Sequence, residues 1–82
     1  MPYITSIERH GIEKGLQQGR LQALQEAVAD LVEARFPHVP GALRDQIVAI
    51  EDPARLKELH RRAAVASDIE EFRASLDQPA GA

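Results

Sequence analysis

The side chains in this 82-residue sequence best suited to proton transfer or metal binding are His10, His38 and His60. They fall on three separate segments and share no ligand spacing, so they read as exposed or capping histidines and not as a metal site. Glu13-Lys14 has the residue types of a nuclease Glu-x-Lys pair. The intervening residue is missing, however, and the pair lies in a helical pattern instead of a strand. Gly11, Gly15 and Gly19 do not make a phosphate-binding loop, because no strand precedes them and no Lys-Ser/Thr follows. With no cysteine there is no thiol nucleophile, disulfide or thiolate metal site, and no serine has a His and an Asp in its own segment. The expectation is a chain with no catalytic residue, no metal and no cofactor.

One charged cluster remains, Arg55, Lys57, His60, Arg61 and Arg62. Arg55, Lys57, Arg61 and Arg62 have the chemistry to touch phosphates, which makes a nucleic-acid-binding accessory domain the alternative function. Against it, Glu58 interrupts the run, no aromatic residue is there for bases to stack on, and the chain carries a net charge of -3. A solvated helix face, with cations suited to the negative end of the helix dipole, explains the same residues.

These residues must be positioned by helices. The sequence is 44% hydrophobic but only 4% aromatic, so its core has to be built from Leu, Ile, Val and Ala. No segment alternates like a strand, and the helix breakers are clustered. The fold expected is all-α, a long N-terminal helix followed by two or three short ones in a small bundle. Thr5 and Glu8 have capping-box spacing, and the helical pattern runs from there to about Phe36, where Pro37 stops it. Such a helix is about 45 Å long at 1.5 Å per residue, more than the rest of the chain can cover. Residues 37–77 then form a helical cap. A second helix is expected in Gly41–Glu51. A third starts at the Asp52-Pro53 signal, and a fourth is capped by Ser67 with Glu70. Residues 78–82 read as a disordered tail. No stretch approaches the roughly 20 apolar residues of a membrane span, and the N-terminus lacks a signal-peptide run, so a cytoplasmic location is expected.

The first helix carries the most informative pattern. Each glycine in a helix interior costs about 1 kcal/mol relative to alanine, and Gly11, Gly15 and Gly19 recur every four residues. Spaced in that way they form a groove without side chains, where a second helix can approach closely. At about 100° per residue, Ile4, Gly11, Ile12, Gly15, Leu16, Gly19 and Ala23 centre on one side of the helix. Leu21, Leu24, Val28, Leu31 and Val32 centre on nearly the opposite side. The C-terminal face suits the chain's own short helices, and the N-terminal face, at about residues 5–20, has no partner within the chain. The expected partner is another copy, in a dimer or tetramer, with Ile4, Ile7, Gly11, Ile12, Gly15, Leu16, Gly19 and Ala23 at the interface. The alternative is that Gly11–Arg20 is a Gln/Gly-rich linker, helical only part of the time.

The segment Tyr3-Ile-Thr-Ser-Ile-Glu-Arg9, then Gly11-Ile-Glu-Lys-Gly15 and the Leu-Gln-Gln-Gly unit, resembles the C-terminal region of the recombination-promoting nuclease family. These transposase-related bacterial proteins have a PD-(D/E)XK core. Arg35-Phe36, Pro40-x-x-Leu43-Arg44 and the Leu56–Arg62 helix are similar to the small domain of unknown function at the end of those proteins. The resemblance implies a bacterial DNA-processing context and an accessory, regulatory role. It also implies a full-length nuclease-containing relative as a further partner. The catalytic carboxylates and lysine of the family lie upstream of this region, so its activity does not carry over. Met1 stands two positions before Tyr3 of the motif, which leaves a separately translated short form, a decayed fragment and a truncation all open.

Overall fold

A computed structural model describes the backbone of residues 6–78 and the side chains of residues 11–78. Four helices follow one another: α1 (Ser6–Arg35), α2 (Gly41–Val48), α3 (Pro53–Val65) and α4 (Ile69–Asp77). The described residues contain no strand, and the expected all-α architecture is what the chain adopts. Thr5 and Ile4, like the side chains of Ile7 and Glu8 and all of residues 79–82, lie outside the described residues. The Thr5/Glu8 capping box and most of the expected tail are therefore not addressed.

α1 holds 30 residues, and Pro37 ends it, as its missing N–H and fixed φ require. The chain then turns back through His38, whose φ of 58° lies in the left-handed region that histidine tolerates better than most residues. α2 stops at Val48, three residues before the Glu51 expected from the apolar spacing. The N–H groups of Ala49 and Ile50 bond back to Asp45 and Ile47, which tightens and closes the last turn. Pro53 disfavours helix at the residue before it. Ile50 thus leaves the helix half-buried, and its carbonyl accepts a 2.7 Å bond from Nε2 of Gln25 on α1.

The Asp52-Pro53 signal is realised at α3, with Asp52 Oδ1 accepting from the Ala54 N–H and proline in the first turn. The fourth helix starts one residue later than expected. Asp68, not Ser67, is its N-cap, accepting from the Glu71 N–H at 2.9 Å, while the Glu71 carboxylate accepts from the Ser67 N–H at 2.9 Å. Both residues are good caps, and packing decides between them. Ala66 is buried at the end of α3, and starting at Ile69 turns Phe72 into the core.

Phe72, Ile47, Leu56, Leu59, Val28 and Val32 are the largest fully buried side chains, so every helix contributes to one core. Burying Phe72 is worth roughly 1.5–3 kcal/mol, which matters in a core with so few aromatic residues. Two arginines fix how the helices run. Arg35, at the end of α1, donates through Nη1 to the carbonyls of Ala63 and, at 2.9 Å, Ala66. This joins the C-terminal ends of α1 and α3, so these two helices run parallel. Arg55, near the start of α3, donates to the carbonyls of Ser75, Leu76 and Gln78, which sets α4 antiparallel to α3. Arg44 of α2 reaches Glu33 at 2.8 Å and Asp30 at 3.2 Å on α1.

The cap assignment at α4 separates two single variants. Asp68→Ala is expected to cost about 1 kcal/mol in urea unfolding, and Ser67→Ala only a few tenths. The reverse order would place the cap at Ser67.

Candidate functional site

The N-terminal half of α1 stands clear of the body. Every residue from Gly11 to Arg20 is exposed, and the first half-buried residue among the described side chains is Leu21. The radius of gyration is accordingly 16.1 Å, against about 12 Å for an ordinary domain of this length. The apolar face of α1 changes sides where the wheel places the change. Val28, Ala29 and Val32 are buried, with Leu21, Leu24 and Leu31 half-buried beside them. Ile12 and Leu16 are 53% and 57% exposed.

A Cβ added at Gly11, Gly15 or Gly19 would meet nothing within 4 Å. No contact inside the described chain needs these glycines, so none offsets their cost in helix stability. Together with Ile12 and Leu16, and with the exposed Ala23 one turn further on, they make a continuous small-residue and aliphatic face. The backbone through Gly11–Arg20 is helical, in keeping with the helix reading over the linker.

The basic cluster divides. Lys57, Arg61 and Arg62 are exposed, but Arg55 is only 8% exposed. Its Nη2 lies 2.6–3.1 Å from the three carbonyls at the end of α4, and its Nη1 lies 3.6 Å from Glu58. It is a helix cap, unavailable to a phosphate. Arg62 Nε is held by Glu58 at 3.3 Å. Arg44 donates hydrogen bonds to Glu33 and to Asp30, and these bonds, Glu33 first, raise its guanidinium above the ordinary pKa.

The structure adds cations that the sequence reading did not connect. Beside Lys57, α1 contributes Lys14 and Arg20 to an open groove of about 580 Å³, with Leu21, Leu24 and Pro53 against it. A shallower depression of about 260 Å³ adjoins it through Leu24 and Lys57, and includes His60 and Arg61. The spacing Lys14, Gln17, Leu21, Leu24 extends the core stripe of α1 toward its N-terminus and was the available signal. Among the described residues no group of three or more His, Asp or Glu could hold a metal ion, and no helix is long and apolar enough to cross a membrane.

In comparisons with known proteins, no family model, no curated protein and no solved structure matches this chain.

The two classes of arginine make a direct prediction. Arg55→Met should cost about 1.5–3 kcal/mol in urea unfolding, because it removes three charged, part-buried hydrogen bonds to the end of α4. Arg61→Met, on the open face, should stay within about 0.5 kcal/mol.

Proposed function

We propose that this chain is a non-catalytic self-association module, in which the Gly11–Gly15–Gly19 face of α1 packs on the same face of another copy. The observation that carries the reading is a helical half-segment holding three glycines that no intrachain contact requires, flanked by exposed Ile12 and Leu16. Each glycine costs about 1 kcal/mol of helix stability, and close approach of a second helix is the physical return that glycine alone permits. A repeat of four exceeds the helical period of 3.6, so the stripe drifts around α1 and favours a short right-handed crossing. Ala23 extends the same face at its C-terminal end.

On this reading the three short helices form a cap on each copy, and the assembly is a closed dimer or tetramer. In a full-length nuclease-containing relative, the same segment would bring catalytic domains together, and the free chain would mix with such subunits and modulate them. The nucleic-acid alternative has less support, since Arg55 is committed to α4 and Arg62 is paired with Glu58.

Sedimentation equilibrium at several concentrations tests the proposal. The expected outcome is a discrete dimer or larger closed assembly that Gly15→Leu shifts toward monomer, with the far-UV circular dichroism of the body retained. An unchanged mass in that variant sinks the idea. Gly15→Ala gives a finer test, because it stabilises an isolated helix by about 1 kcal/mol. The monomer should become more helical while the dissociation constant rises; tighter association would mean that the glycines serve no interface.

A further inference from the structure

We propose that the groove between α1 and α3 is a docking site for an acidic, amphipathic helical segment of another protein. The groove opens where α1 runs on past the start of α3, and its volume of about 580 Å³ falls within the range of ordinary concave binding sites. Its walls have two chemistries. Leu21 and Leu24 are half-buried and supply an apolar floor, continued by Pro53. Lys14, Arg20 and Lys57 are exposed around it, and Arg61 continues the positive side into the adjoining depression.

The charge is segregated, not average. The chain as a whole is net negative at -3, yet these cations gather about one groove in which Glu51 is the acidic lining residue. Among the described residues, no carboxylate lies within salt-bridge distance of Lys14, Arg20, Lys57 or Arg61, whereas Arg44, Arg62 and Arg73 all have one. Like charges around a shared hollow repel one another, and carboxylates brought by a partner would relieve that repulsion and fix the partner's register.

The shape favours a helix. Gly11–Leu21 of α1 offers about 15 Å of helix, and a segment lying along it would continue the line of α3 and present leucine-like anchors at i, i+4 and i+7. A nucleic acid would use the cations but not Leu21 or Leu24, and the groove has no aromatic residue on which a base could stack. The groove lies on the opposite side of α1 from the glycine stripe, so this inference does not rest on self-association.

The test is fluorescence anisotropy with a labelled synthetic peptide of about four helical turns, carrying leucines on one face with flanking glutamates. A twin peptide with lysine at every glutamate position serves as the comparison. The glutamate peptide should bind saturably, more weakly as salt rises, and at least about tenfold more weakly to the Arg20→Glu/Lys57→Glu variant. Arg73→Glu, on α4, should leave the affinity unchanged, and circular dichroism should show both variants folded. Absence of binding, equal affinity for the lysine twin, or indifference to the double variant would each overturn the proposal. So would a DNA duplex that binds and is lost on the same double variant, which would assign the groove to phosphate. A change in solution mass of the double variant would overturn it as well, because the occupant would then be a second copy.

Discussion

The whole arrangement depends on a mismatch of length. α1 has 30 residues, whereas α2, α3 and α4 have 8, 13 and 9. Three short helices can cover only the C-terminal half of a rod about 45 Å long, so burial begins at Leu21 and is complete by Val28. Everything distinctive about the molecule follows from the uncovered half. The glycine face is open because nothing reaches it, and the cationic groove exists because α3 begins partway along α1. A shorter α1 would leave an ordinary bundle with neither surface.

The body that anchors this rod is small, and polar side chains do much of its alignment. Two guanidinium groups cap helix C-termini contributed by other segments, Arg35 on α3 and Arg55 on α4. Both place positive charge at the negative end of a helix dipole and donate to carbonyls of the last turn. Arg35 also lies 4.9 Å over the Phe36 ring, a contact that holds the end of α1 beside the core. Gln25 and Arg44 tie α1 to the connection after α2 and to α2 itself. An aliphatic core is weakly directional, and these four polar side chains supply directions that Leu, Ile and Val cannot.

What the sequence disclosed divides along the line between local and tertiary determinants. Pro37 and Asp52-Pro53 set helix ends through backbone chemistry within a few residues, and both are realised as expected. The two-faced character of α1 was also legible, because it depends only on the period of a single helix. The cap of α4 was not, since Ser67 and Asp68 offer equivalent oxygens and the burial of Ala66 and Phe72 chooses between them. Arg55 was misplaced for a related reason: nothing local to α3 reveals that α4 returns its carbonyls to that position. Lys14 and Arg20 were overlooked because they become neighbours of Lys57 only when α3 runs parallel to α1.

The two surfaces of the free half-helix differ in what they ask of a partner. The glycine face offers close approach and little charge, so it selects for shape, and identical helices satisfy it by symmetry. The groove offers an apolar floor bounded by cations, so it selects for carboxylates at a fixed distance from aliphatic anchors, which a second glycine stripe does not provide. Because the two faces are opposed on one helix, partners on both would not compete for space. If copies associate through the first face, the second is presented once per copy. A multivalent ligand would then gain avidity from geometry alone, provided its segments span the distance that the α1 crossing sets. If both contacts form, the cost of three glycines and of a cationic hollow in the isolated chain is offset outside it.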